Sequence, residues 1–137
     1  MSYLVDTNVL SELRRRRPNP SVSGWFSQRP ATTLYLSVLT LGEIRKGIEA
    51  LPEGDRRFRL TDWLEVDLPR FFGGRILAVD ASVADRWGHL LAVVGRPVPA
   101  VDSLLAATAL HHGLRLVTRN AHDFAYRGLE VIDPWVE

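Results

Sequence analysis

The residues best suited to chemistry in this chain are carboxylates, and they fall at related places. Asp6 closes the apolar run Tyr3, Leu4, Val5, and Glu43 lies in the helical segment that follows Leu34, Tyr35, Leu36. Asp102 opens a late apolar helix, and Asn120 and Asp123 follow Leu116, Val117, Thr118. With no cysteine in the chain, such a group offers only hard oxygen ligands, which favour Mg²⁺, with Mn²⁺ as a substitute, over zinc. Two carboxylates 4 Å apart repel by about 4 kcal/mol at an effective dielectric of 20, so acids gathered at one place are costly without a cation. Ions of this kind serve phosphate chemistry: they hold a scissile phosphate, lower the pKa of water and offset charge on the attacking and leaving oxygens. The reaction this points to is phosphodiester hydrolysis.

Each acid also has an ordinary explanation. Asp6 or Asn8 can cap a helix N-terminus, an interaction worth about 1 kcal/mol. Thr40 and Glu43 have the spacing of a capping box. Asp102, in a first helical turn, gains about 0.3 to 1 kcal/mol from the helix macrodipole, and Asp123 reads as a loop aspartate. Taken singly these suffice, but they do not explain why acids recur at the same ends of successive elements.

The elements that would position them alternate. Tyr3 to Val5 reads as a buried strand, and Asp6, Thr7 and Asn8 as the turn into a helix carrying Val9, Leu10 and Leu13, which Pro18 and Pro20 terminate. Trp25 and Phe26 mark a second short helix. Leu34 to Leu36 predicts a strand, and Ser37 a cap for a helix with Leu41, Ile44, Ile48 and Leu51 on one stripe. An amphipathic stretch from Arg56 through Leu68 is predicted to stop at Pro69 and Gly73. Ile76 to Val79 is the third strand, and Asp80 or Ser82 caps a helix running to Gly95. A helix over Val101 to His112 ends at Gly113, and Leu116 to Thr118 and Val131 to Ile132 are the last strands. Apolar strands alternating with helices imply a three-layer α/β/α domain over residues 1–137, with a central parallel sheet of four to five strands. In such sheets ligands collect at the carboxyl ends of the strands, where these acids fall.

Composition narrows the function further. A chain of 137 residues, 46% hydrophobic, has room for one core. Its formal net charge of +1 is too small to draw nucleic acid by bulk attraction, so such binding would need a local patch. The absence of cysteine fits a reducing cytoplasm. No apolar run approaches the ~18 residues of a membrane span, and no basic segment precedes a long apolar one at the start. The expectation is a soluble, cytoplasmic protein.

The ordered set of motifs resembles the PIN-domain ribonucleases. It comprises Leu4 through Leu10 around Asp6, Thr7 and Asn8; Leu36 and Ser37 with Glu43 and Gly47; Asp102 with Ala106, Ala107, Thr108 and Ala109; and Val117 to Asn120 with Asp123 and Phe124. Within that family the chain is most similar to VapC toxins, in particular the FitB-like branch with its closing Pro134 and Trp135. The resemblance implies a Mg²⁺-dependent endoribonuclease toxin, commonly a homodimer, that cuts RNA and is held inactive by a cognate antitoxin covering a groove of early helices. The stretch from Val9 to Glu49 is the candidate for that groove. By position, Asp6 and Asp102 resemble the principal metal ligands and Glu43 a third acid that binds directly or through water. Many relatives carry Asp where this chain has Asn120, so either Asn120 or Asp123 fills the fourth place. Thr7 and Thr118 match hydroxyl positions that support the acidic pocket. Two other readings stand beside this one: a non-catalytic PIN-fold module that binds RNA or protein, and a PIN nuclease of RNA processing that has no antitoxin.

The remaining features are less specific. Arg14 to Arg17 is the densest positive charge and could grip RNA phosphates, although a solvated helix end, where cations suit the macrodipole, is the favoured reading of the run. His89, His111, His112 and His122 lack metal-ligand spacing. Trp25, Trp63, Trp87 and Trp135 fall on apolar stripes or in the tail, which suits packing rather than base stacking.

Overall fold

In the computed structural model, which describes residues 1–136, five parallel strands form one sheet. They are β1 (Tyr3–Val5), β2 (Leu34–Ser37), β3 (Ile76–Leu77), β4 (Arg115–Val117) and β5 (Val131–Ile132), in the order β3-β2-β1-β4-β5. The register pairs Leu4 with Tyr35 on one side and with Leu116 on the other. The chain therefore builds outward from β1 to β3, then returns to the opposite side of β1 with β4. This reversal makes the β1/β4 crevice the switch point of the sheet, the place where parallel α/β sheets bind ligands.

Alternation along the strands creates the three layers. Tyr3, Val5 and Val117 point to a core shared with Val9, Val22, Ile44, Leu68 and Phe72, under α1 (Thr7–Leu13), α2 (Pro20–Ser27), α3 (Val38–Glu49), α4 (Asp55–Asp62) and α5 (Leu68–Phe72). Leu4 and Leu116 point the other way, onto Leu90, Leu105, Ala106 and Ala109. These belong to α6 (Ala81–Val94) and α7 (Ala100–His112). Three fully buried alanines on α7 let its backbone lie close to the sheet. Gly113 ends α7 in the left-handed region, φ +66°, and Leu114 N–H then donates to the Ala109 carbonyl at 2.8 Å.

Several expectations need correction. Pro69 does not stop the amphipathic stretch: α4 passes through a π-helical turn at Trp63–Asp67 into α5, where Pro69 lies in the first turn and needs no N–H partner. The third strand pairs only at Ile76 and Leu77, leaving Ala78 and Val79 outside the sheet. Leu51 falls beyond the end of α3. Thr40 and Glu43 form no capping box, because Ser37 caps α3 by accepting from Leu39 N–H at 3.0 Å. Of the two cap candidates for α6, Asp80 is the one used, accepting from Val83 N–H at 2.9 Å. Among the described residues no helix is long and apolar enough to cross a membrane.

Leu116, fully buried on the inner strand β4, is a direct probe of this packing. Leu116→Ala should lower unfolding free energy by about 2 to 5 kcal/mol, measured by urea denaturation followed by circular dichroism; a loss below 1 kcal/mol would show that the layer is loosely packed.

Candidate active site

Asp6 stands at the carboxyl end of β1, beside β4. Its N–H donates to the Val117 carbonyl at 2.9 Å, which extends the ladder one residue past the strand. Its side chain caps α1: Oδ1 accepts from Thr7 N–H at 2.7 Å. Oδ2 accepts from the Thr118 hydroxyl, also at 2.7 Å and buried. The helix-cap explanation of Asp6 is thus correct as geometry, but it uses one oxygen and leaves the other for the crevice.

Thr118 is fully buried, and its hydroxyl is used completely. It accepts from Asn8 Nδ2 and from Asn120 N–H, both at 3.2 Å. Two donors fill its lone pairs, so its single proton points to Asp6. Asn8 Oδ1 in turn accepts from Arg119 N–H at 3.3 Å. The loop after β4 is thereby tied to the first turn of α1 across the switch point. The sequence offers Asn8 as an alternative cap and as part of the Asp6, Thr7, Asn8 motif, but its tie to Thr118 and Arg119 is visible only in the fold.

Thr7 brings in a second acid. Its hydroxyl donates to Glu43 Oε1 at 2.7 Å, which fixes an exposed α3 side chain beside the start of α1. Asp102, in the first turn of α7, is partly buried and makes no side-chain hydrogen bond among the described residues. Asp123 lies in a 3-10 turn, Ala121–Phe124, near enough for its charge to raise Asp102. Asn120 contributes its backbone N–H to Thr118, and its side chain is exposed.

The electrostatics show that these groups share one neighbourhood. Burial pushes the Asp6 carboxyl above the ordinary aspartate range; the Thr118 and Thr7 bonds pull it back, and the charges of Glu43 and Asp102 raise it further. Burial also raises Asp102, with Asp123 and then Glu43 adding to the effect. A first-turn aspartate gaining only from the helix dipole would be shifted the other way. Asp102 also faces Tyr126, whose ring packs in the α6/α7 core; burial raises that phenol, Asp102 adds to the rise and Arg96 opposes it. Tyr126 does not stand out in the sequence, because its nearness to Asp102 comes from tertiary packing alone. The carboxylates feel one another's charge, yet among the described residues no three His, Asp or Glu side chains close into a ready-made metal cage. Repelling like charges would settle in such an arrangement.

Because the folded pKa of Asp102 lies above its unfolded value, the native state binds more protons between the two. Stability therefore falls as pH rises through the folded pKa, and the full penalty is present above it. Asp102→Asn should melt higher than wild type at pH 7 in the presence of a chelator, with the advantage shrinking as pH falls into the ordinary aspartate range. A variant that melts lower at pH 7 would show that Asp102 is a stabilising cap.

Comparison with known proteins follows the same outline. Residues 3–127 match the PIN domain family. Plasmid stability protein StbB of Pseudomonas syringae pv. tomato is 40% identical over 135 residues, covering 96% of this chain and 97% of that protein. VapC ribonuclease Y4jK of Sinorhizobium fredii is 36% identical over 135 residues, 96% of each. Toxin FitB of Neisseria gonorrhoeae is 35% identical over 135 residues, 96% of this chain and 97% of its own. The crystal structure of FitAcB from that organism superposes with a TM-score of 0.88 at 34% identity, covering 97% of this chain and 98% of that one. The chain belongs to the PIN-domain family, in the branch that contains the VapC ribonucleases and toxin FitB.

Proposed function

We propose that this protein is a Mg²⁺-dependent endoribonuclease toxin of a toxin-antitoxin pair, with Mn²⁺ able to replace Mg²⁺. The observation that carries the reading is the acidic switch point: Asp6 and Asp102 both have their carboxyls raised by burial and by neighbouring acids. The donor set fits a hard divalent cation. Each Asp6 oxygen accepts one hydrogen bond and retains a free lone pair, Asp102 carries no competing side-chain bond among the described residues, and the chain has no cysteine.

Asp6, Asp102 and Glu43 would hold the ion. Bound there, it would offset charge on the scissile phosphate and lower the pKa of water. Thr118 and Thr7 orient Asp6 and Glu43 through their hydroxyls, as supporting groups orient metal ligands. Asp123 is better placed than Asn120 to steer the attacking water, because its charge reaches Asp102, whereas Asn120 serves the crevice through its backbone. The comparisons with VapC ribonucleases and toxin FitB support the substrate class.

An antitoxin would dock on the apolar groove lined by Leu10, Leu13, Phe26, Trp63, Leu68 and Phe71. Only one wall comes from the stretch between Val9 and Glu49; the second is the α4–α5 region, and α3 does not line it. The cysteine-free composition suits a cytoplasmic setting, and the likeness to VapC toxins carries the homodimer.

The test is cleavage of purified cellular RNA. Wild type should cut with Mg²⁺ and fail with chelator. Asp6→Asn should lose more than the ~10 to 100-fold typical of changes in groups that merely support metal ligands. The cognate antitoxin should stop wild type and spare Phe71→Glu, altered in the groove. Undiminished cleavage by Asp6→Asn, or cleavage in chelator, would contradict the reading.

A further inference from the structure

The densest positive charge in the chain does more than end a helix. Arg14, Arg15 and Arg16 leave the C-terminus of α1 and meet Arg56 and Arg59 of α4 across a single cleft floored by Leu60 and Trp63. Sequence placed only the first three together; the fold adds the other two from 40 residues downstream. Among the described residues just one of the five has an ionic partner: Arg15 lies 3.3 Å from Glu12, and Glu12 is already accepting from Asn19 N–H at 2.9 Å. Arg14 is set over the Trp63 ring, 5.3 Å from its centroid, which pre-orders its guanidinium. Solvation of a helix end explains Arg14 to Arg17 alone. It does not explain why exposed arginines of two separate helices face one concavity, four of the five without an ion pair among the described residues.

We propose that this arginine cleft is a binding site for the backbone phosphates of single-stranded RNA, apart from the acidic site and joined to it by α1. The inference rests on the nuclease reading. Guanidinium forks match phosphate oxygens in pairs, and five of them provide sequence-independent grip. The location supports RNA as the occupant. Asp6 caps one end of α1 and Arg14 caps the other, so the two sites are separated by a rigid helix of seven residues, about 10 Å. A polymer with an anion at every nucleotide can occupy both. The bulk charge of +1 makes such a local patch necessary for affinity. An acidic segment of a partner protein is the competing occupant, because the neighbouring apolar groove shares Arg14 and Trp63 with the cleft.

The test uses full-length Asp6→Asn protein, which should hold RNA uncut, and follows fluorescence anisotropy of a labelled 12-nucleotide single-stranded RNA between 50 and 200 mM KCl at fixed Mg²⁺ (~5 mM). Adding Arg56→Gln and Arg59→Gln together should weaken binding roughly tenfold and flatten the slope of log affinity against log salt by about 1.4, from about 0.7 for each phosphate contact. Arg86→Gln, an exposed arginine on α6, should leave the slope unchanged. Melting curves check that all variants fold. Unaltered RNA affinity in the double variant, or an equal effect of Arg86→Gln, would overturn the proposal. Binding of a polyglutamate peptide that depends on Arg56 and Arg59, while RNA binding does not, would assign the cleft to an acidic partner and overturn it as well. RNA cleavage by protein retaining Asp6 is scored separately: cleavage without arginine-dependent binding fails this proposal alone, and absence of any cleavage fails the nuclease reading.

Discussion

The structure turns on one buried carboxylate. Asp6 sits where the sheet reverses its order, nearly closed to solvent, with one oxygen given to α1 and the other to Thr118. Burial favours its neutral form, and the two hydrogen bonds favour its charged form. Acids on α3 and α7 then add repulsion. A fold selected only for stability would place an apolar residue or a satisfied amide there, so the persistence of an uncompensated charge argues for a counter-ion supplied from outside.

The surrounding structure can be understood as what such a carboxylate requires. Parallel pairing of β1 with β4 brings Thr118 level with Asp6, and the saturated hydroxyl of Thr118 removes any freedom to turn away. Asn8 locks the loop after β4 to the first turn of α1. The alanines of α7 bring that helix close to the sheet and carry Asp102 toward the crevice. Two cores, one on each face, hold these elements rigid. In the same frame, α1 is a short rod with the buried carboxylate of Asp6 at one end and arginines at the other.

Much of this was legible in the sequence because the signals were local. Short apolar runs ended by Asp6, Ser37 or Asp80 marked strand-to-helix turns, and glycines after Val94 and His112 marked helix ends. The acids were visible as a recurring position within those units. What escaped was set by packing over long separations. Thr40 and Glu43 matched a local capping pattern, but the tertiary partner Thr7 claimed Glu43, and Ser37 took the cap. Pro69 looks like a stop in the sequence because the π-helical turn before it cannot be seen in a periodicity. Arg56 and Arg59 gain meaning only once α4 lies against the end of α1, and Tyr126 only once it lies beside Asp102. The second wall of the apolar groove depends on the same long-range packing.

Crystals of the protein soaked in Mn²⁺ and measured at the manganese absorption edge would test the central claim most directly. The account predicts an anomalous peak within bonding distance of both the Asp6 and Asp102 carboxylates, lost in Asp6→Asn crystals. A peak only elsewhere on the surface, or no peak at saturating Mn²⁺, would mean that the acidic switch point is not a metal site, and the account would fail.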